Sequence, residues 1–280
     1  MNIGIVGLGL IGGSLAIDLK AQGYSVLGVS RQVQTCEIAL KRQIVDEASI
    51  HLNLLAAADL IFICTPLAAI VDTVTHLIPH LAPATVLTDV GSAKAPIVQA
   101  VSSLWPNFVG GHPMAGTADS GIGAAQADLF VDKAYVLTPI ETTPPKAVER
   151  LEKIIRALRA KPYLCRPDAH DRAVAWISHL PVFASASLIA ACLDETDPET
   201  LELAQALASS GFRDTSRVGG GNPELGMMMA RYNRDALLNG LKIYRDRLND
   251  VIKLIDDQDW ATLEDELMET HQARPRFVRE

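Results

Sequence analysis

A histidine set between two glycines and a proline, Gly110-Gly111-His112-Pro113-Met114-Ala115-Gly116, closes an apolar strand pattern. Such crowd-free neighbours suit a ring presented at a strand end, not one packed in a core. Imidazole takes up a proton near neutral pH, as the oxidation of a hydroxyl to a carbonyl requires, so His112 reads as a base. Farther along, Gly211-Phe212-Arg213-Asp214-Thr215-Ser216-Arg217 spaces Arg213 and Arg217 at i, i+4, with Asp214 between them. On a helix that spacing puts both guanidinium groups on one face. Arginine grips carboxylates through paired hydrogen bonds, so the segment reads as an anion clamp or as a surface salt-bridge cluster. Two more candidates stay open between a structural and a chemical role. Ser92, in Asp89-Val90-Gly91-Ser92-Ala93-Lys94, either caps a helix or donates to a substrate. His179, in Ser178-His179-Leu180-Pro181, either bonds at a proline kink or lines a pocket.

These groups need a cofactor beside them, and the N-terminus supplies its cradle. The run Ile3–Val6 is a short apolar strand leading straight into Gly7-Leu8-Gly9-Leu10-Ile11-Gly12 and then a helical pattern. A strand, a GxGxxG turn and a helix present backbone N–H groups and a helix N-terminus to a pyrophosphate. Gly7 makes the turn, Gly9 admits the phosphates and Gly12 lets helix and strand pack closely. In sites for NAD, an acidic residue ~20 positions past the glycines binds the ribose hydroxyls. Here the second strand ends in Ser30-Arg31, and Thr35 follows one helical turn later. An acid would repel a 2′-phosphate, while arginine and two hydroxyls attract one, so the expected cofactor is NADP. Cys64-Thr65-Pro66, at another strand end, is expected to flank it.

Strand patterns at Asn2–Val6, Ser25–Val29, Leu60–Cys64, Thr85–Asp89, Phe108–Gly110 and Ala134–Thr138 alternate with helical ones such as Leu10–Gln22 and Ala93–Leu104. The pattern changes around Pro162–Pro167, after which long helices are expected at His170–Cys192, Glu199–Ser209 and Asn233–Ile255. The fold class is therefore α/β: a Rossmann-type doubly wound sheet (1–165) followed by an all-helical domain (166–280). Leu237, Leu241, Tyr244, Leu248, Val251, Ile252 and Ile255 form a helical stripe that reads as a domain core or as the seam of a homodimer. Gly219-Gly220-Gly221-Asn222-Pro223 interrupts the helices as a loop.

With 280 residues, 49% of them apolar, the chain has material for two cores. A net charge of −8 argues against a nucleic-acid surface. Cys36, Cys64, Cys165 and Cys192 lie far apart, without metal-ligand spacing, and suit reduced thiols. No metal site is expected. No signal sequence is expected before the first strand, and no apolar run of the ~18 residues that span a membrane, so the expected location is the cytoplasm.

Taken together, GLGLIGGSLA, CTPLAAI, DVGSAK, GGHPMAG, DAHDRAVAWISHLP (Asp168–Pro181) and GFRDTSR resemble, in order, the prephenate/arogenate dehydrogenase family of tyrosine biosynthesis. The resemblance runs from the N-terminus to at least Pro223. It implies a dinucleotide-binding domain, a helical dimerisation domain and oxidative decarboxylation of a cyclohexadienyl substrate. It further implies that His112 binds the ring hydroxyl and acts as base and that Ser92 helps hold that hydroxyl. Arg217 would bind a substrate carboxylate, Arg213 and Asp214 would form an ionic gate or side-chain contact, and His179 would line the pocket. Two departures stand out. Many members carry an acid where Ser30-Arg31 stands, and many read SHLPH where Val182 replaces the second histidine. With the NADP reading, arogenate is the expected substrate, the alternative being prephenate or both. A β-hydroxyacid dehydrogenase would want a lysine in the helical domain, and none lies between Lys161 and Lys242.

Overall fold

In the computed structural model, residues 1–117 and 119–278 are described. The N-terminal half builds one sheet from β1 (Asn2–Val6), β2 (Ser25–Val29), β3 (Glu47–Ser49), β4 (Leu60–Ile63), β5 (Val86–Asp89), β6 (Phe108–Pro113), β7 (Ala134–Thr138) and β8 (Lys161–Leu164). Their spatial order is β3-β2-β1-β4-β5-β6-β7-β8. All neighbours run parallel except β6 and β7, which are antiparallel with His112 opposite Val136. The order reverses at β1, between β2 and β4, where open α/β sheets bind ligands. Helices α1 (Leu10–Ala21), α2 (Val33–Lys41), α3 (Ile70–Leu77), α4 (Ala95–Ser102) and α5 (Pro145–Ala157) join the strands.

β4 is buried on both faces, which is why its run Leu60-Ile61-Phe62-Ile63 does not alternate. Alternate residues join the two cores. Ile3, Ile5, Leu60 and Phe62 pack with Leu15 and Leu19 on one side, and Ile61, Ile63 and Leu87 pack with Ile70, Val74 and Val98 on the other.

The six expected strands form. Two more were hidden from pattern reading. β3 has three residues, and β8 carries Pro162 at the outer edge of the sheet, where a missing N–H costs no ladder bond.

The C-terminal half is helical: α6 (Pro167–Val174), α7 (Leu180–Leu193), α8 (Pro198–Leu207), α9 (Ser210–Ser216), α10 (Pro223–Tyr232), α11 (Arg234–Asp256) and α12 (Trp260–Ala273). A π turn, Ala175–His179, joins α6 to α7 just before Pro181. Proline removes a donor from the helix ladder, and a wider turn there re-registers the carbonyls.

One expectation needs correction. The continuous run Pro167–Leu193 is long and apolar enough to cross a membrane, although no such run was expected. Its polar residues His170, Asp171, His179 and Ser185 are nonetheless buried, and each is hydrogen-bonded within the protein. Of the two readings open for the α11 stripe, a domain core and a dimer seam, the first does not describe a single chain. Leu237 is buried, but Tyr244, Leu248, Ile252 and Ile255 are exposed, as are Trp260 and Leu267 on α12. A contiguous apolar face of this kind marks an interaction surface.

Candidate active site

The glycine turn has the geometry a pyrophosphate needs. Gly7 adopts φ +97°, a conformation that side chains rarely tolerate. A Cβ on Gly12 would collide with the Gly7 carbonyl oxygen, so only glycine lets α1 start this close to β1. A Cβ on Gly9 would meet nothing within 4 Å, which leaves an open cradle. Gly9 has no side chain to cap α1, which leaves the first N–H groups of the helix without a side-chain acceptor among the described residues, at the edge of that space. These residues fit a dinucleotide. At the end of β2, Ser30 is fixed by its N–H to Ser49 O (3.2 Å), and its Oγ accepts from Gln32 N–H (3.3 Å). Arg31 is exposed and has no salt bridge among the described residues. Thr35 Oγ1 donates to Gln32 Oε1 (3.2 Å). The carbonyl of Cys64 lies against Gly7, Pro66 lines the adjoining cleft, and the buried Thr65 Oγ1 lacks a partner among the described residues.

β6 delivers His112 into a cleft of about 740 Å³, a volume suited to a small substrate beside a nicotinamide. The N-terminal half contributes Ile11 from α1, Ser92 from the turn after β5 and His112 from β6 to its walls, and the helical half contributes Ser178, Glu224 and Met228. Beneath His112, a buried ion pair joins Lys94 and Asp89, both fully excluded from solvent. Lys94 Nζ donates to Gly111 O (2.7 Å), and Asp89 Oδ1 accepts from Gly111 N–H (3.2 Å). Both polar groups of Gly111 are thus pinned one residue from the histidine. A Cβ at Gly111 would sit 2.7 Å from Asp89 O, so this approach requires glycine.

His112 Nδ1 lies 2.8 Å from His170 Nε2, and His170 Nδ1 lies 2.8 Å from Asp171 Oδ1. Asp171 also reaches across to the sheet. Its carboxylate accepts Lys94 N–H (2.7 Å) and Ala95 N–H (2.8 Å), capping α4 from the other half of the molecule. The residue that caps α4 is therefore Asp171, which leaves Ser92 free on the cleft wall. Burial holds the His112 pKa well below the usual 6.5, with His170, Lys94 and His179 pushing the same way. His112 is a neutral imidazole at neutral pH.

Two family models match the chain, "Prephenate dehydrogenase, nucleotide-binding domain" over residues 15–164 and "Prephenate dehydrogenase, dimerization domain" over residues 166–270. The chain belongs to the prephenate dehydrogenase family. The solved structure of Synechocystis arogenate dehydrogenase is 55% identical, with a TM-score of 0.92 over 99% of this chain and 100% of that one. Prephenate dehydrogenase from A. aeolicus, solved with hydroxyphenyl propionate and NAD+, is 25% identical with a TM-score of 0.93, over 99% of this chain and 98% of its own. The prephenate dehydrogenase of Bacillus subtilis is 32% identical over 263 residues, 90% of this chain and 67% of that protein. The protein is thus an oxidoreductase of the prephenate/arogenate dehydrogenase family, with a nucleotide-binding domain joined to a helical one.

In this family member, the other sequence candidates occupy distinct places. His179 is fully buried on the π turn. Its Nδ1 faces Asn233 Nδ2 at 3.1 Å, and its Nε2 has no partner among the described residues. Burial lowers its pKa to about 4, against the opposing pull of Asp171. Arg213, on α9, is exposed and bonds Asp214 at 3.1 Å. Arg217, just past α9, is also exposed and has no salt bridge among the described residues. Neither arginine lines the His112 cleft of the single chain. The glycine loop that follows docks on α7 through Gly219 N–H to Ser185 Oγ (2.8 Å) and leads into α10 at the cleft wall.

His170, Asp171, Lys94, Asp89 and Glu224 were not singled out in the sequence. The signals were present as an adjacent His-Asp pair at a helix start and a lysine following a strand-end aspartate, but their meaning depends on what tertiary packing sets against them.

Proposed function

We propose that this protein catalyses the NADP-dependent oxidative decarboxylation of L-arogenate to L-tyrosine, with His112 as the base. The observation that carries the reading is His112 itself. It is a neutral imidazole at the head of β6, in a cleft walled by both domains beside the glycine cradle, with its Nδ1 engaged by His170. Residues 1–165 would hold the cofactor and residues 166–280 would complete the substrate site. NADP supplies the hydride acceptor. His112 Nε2 takes the proton of the ring hydroxyl as the carbon bearing it becomes a carbonyl. The ring carboxylate then leaves as CO2, and its bonding electrons make the ring aromatic. The phenolate oxygen so formed takes the proton back from His112. Ser92, on the same wall, would hold the hydroxyl.

Arogenate over prephenate is supported by the 55% identity to an arogenate dehydrogenase. NADP is supported by Ser30 and by Arg31, exposed and without a salt bridge among the described residues, where an acid would repel the 2′-phosphate. The alternative, a prephenate or dual-specificity cyclohexadienyl dehydrogenase, is favoured by relatives bearing the names prephenate dehydrogenase and cyclohexadienyl dehydrogenase. The deciding experiment is initial-rate reduction of NADP and of NAD with arogenate and with prephenate. Turnover with arogenate and NADP alone fits the proposal. Comparable turnover of prephenate supports the alternative, and no turnover with either substrate overturns both.

Exchanging Ser30 for Asp is expected to weaken NADP more than about tenfold through like-charge repulsion. Fluorescence titration measures this, and unchanged affinity would refute the 2′-phosphate assignment. Arg217 stands outside the His112 cleft of the single chain and has no salt-bridge partner among the described residues, so taking a substrate carboxylate, as the family resemblance implies, would require its segment to come over the cleft when substrate binds. Arg217→Ala is expected to raise KM about tenfold or more while kcat moves less than about threefold. A loss confined to kcat would remove Arg217 from binding. The exposed apolar face of α11 and α12 supports a homodimer through the helical domain. The biosynthetic reading also carries a cytoplasmic location.

A further inference from the structure

We propose that His170 and Asp171 are positioning residues that fix the tautomer of His112, keeping Nε2 bare toward the cleft, and that they do so by docking the helical domain on the sheet. The inference rests on His112 being the base.

The argument is a count of donors and acceptors. The backbone N–H groups of Lys94 and Ala95 can only donate, and both are directed at Asp171, at 2.7 Å to Oδ1 and 2.8 Å to Oδ2. A carboxylate receiving them acts as acceptor for its third partner as well, His170 Nδ1 at 2.8 Å. His170 therefore carries its hydrogen on Nδ1, and with that hydrogen alone its Nε2 is bare. That nitrogen lies 2.8 Å from His112 Nδ1, so His112 must donate there. A neutral His112 with hydrogen on Nδ1 has its lone pair on Nε2, the only ring nitrogen left for a substrate hydroxyl.

The two residues come from consecutive positions of α6, a helix of the other domain. One reaches the base, while the next caps the helix that follows β5. Asn233 Nδ2 donates to the Asp171 carbonyl (2.7 Å) and locks this segment to the start of α11. If the helical domain shifts, the cap on α4 and the tautomer of His112 fail together.

Burial of the pair agrees with the chemistry. His170 is 2% exposed and Asp171 5%. Arogenate monoanion is converted into neutral tyrosine, CO2 and a hydride on the cofactor, so no proton leaves for solvent. The hydroxyl proton is held by His112 and returned to the phenolate oxygen. While it is held, His112 Nδ1–H donates to His170, and His170 Nδ1–H donates to Asp171, which stabilises the transient imidazolium. A sealed chain suffices for a proton that is only lent.

The test is long-range 1H–15N NMR on the whole protein with 15N-labelled histidine, joined to steady-state kinetics. Wild type is expected to show His112 protonated at Nδ1 and bare at Nε2. His170→Phe is expected to release that preference and to lower kcat ~100-fold, with KM and NADP affinity within about threefold. His170→Gln, whose amide oxygen can accept from His112, is expected to keep at least about tenfold more kcat than His170→Phe. A merely structural histidine would leave the tautomer alone and would not rank the two variants this way. The proposal is overturned by a His112 protonated at Nε2 in wild type, by an unchanged tautomer in His170→Phe, or by equal kcat in Phe and Gln variants. If His170→Phe does not bind NADP and so has not folded, the wild-type spectrum and His170→Gln decide alone. The spectrum needs no substrate, so failure of turnover with arogenate and prephenate would refute the base without touching the tautomer.

Discussion

Replacing His112 by Asn should lower kcat by ~10³, within the range that general acid–base groups contribute, while KM changes by no more than about threefold. Asn keeps a short polar side chain and can still donate to His170 Nε2, so the hydrogen bond that now measures 2.8 Å has a substitute. What it cannot do is take the hydroxyl proton as hydride leaves. The expected signature is therefore loss of turnover with binding retained. Steady-state kinetics with arogenate and NADP checks it, and a fall in kcat/KM carried by KM alone would move His112 from chemistry to binding. The wild-type pH profile gives an independent reading. Burial first, then the nearby His170, Lys94 and His179, hold the imidazole pKa well below 6.5. As the proposed base, His112 would act only when unprotonated. Turnover should therefore stay level as pH falls through 6.5 and decline only well below it. An acid limb centred near 6.5 would mean that His112 is more solvated in the working enzyme than the structure has it.

What the sequence could and could not disclose follows from how local each signal is. The GxGxxG turn was legible because its three glycines answer to neighbours a few residues away, and Gly7 and Gly12 touch one another. His112 was legible because its own flanks mark a strand end. The clamp was legible only as a spacing. On α9, Arg213 bonds its neighbour Asp214, and Arg217 stands outside the cleft, because a helical face is defined only by what packs against it. Asp171 was not legible at all. An aspartate in the first turns of a helix reads as ordinary dipole compensation, yet its carboxylate caps a helix 76 residues earlier in the chain. The α11 stripe was legible as apolar, but core and interface have the same period, so only its exposure in the folded chain separates them. β8 escaped because a proline in a four-residue segment reads as a linker until the segment is known to lie at a sheet edge.

Lys94→Met should destabilise the protein by about 3–5 kcal/mol, the usual result of removing one partner from a buried ion pair. Lys94 and Asp89 are both wholly inaccessible to solvent, and the lysine also donates to Gly111 O at 2.7 Å. Methionine fills the space of the lysine stem but leaves Asp89 as a buried charge, stabilised among the described residues by the N–H groups of Gly91 (2.8 Å) and Gly111 (3.2 Å). Most of the loss is thus the cost of the stranded carboxylate, which yields a second expectation. Adding Asp89→Asn to Lys94→Met should recover about half of the lost stability or more, because the amide oxygen can still accept one N–H while the charge is gone. Urea unfolding of the wild type, the two single variants and the double variant closes the cycle. Strictly additive losses would mean that the two side chains contribute independently, against the pairing in the structure. Activity should not recover with stability. The double variant lacks the ammonium that fixes the Gly111 carbonyl, so His112 loses half of its support from below. It also loses a positive neighbour that helps keep its ring neutral. A double variant restored in stability but still impaired in kcat would separate the two tasks of this pair, holding the ends of β5 and β6 together and aiming the proposed base.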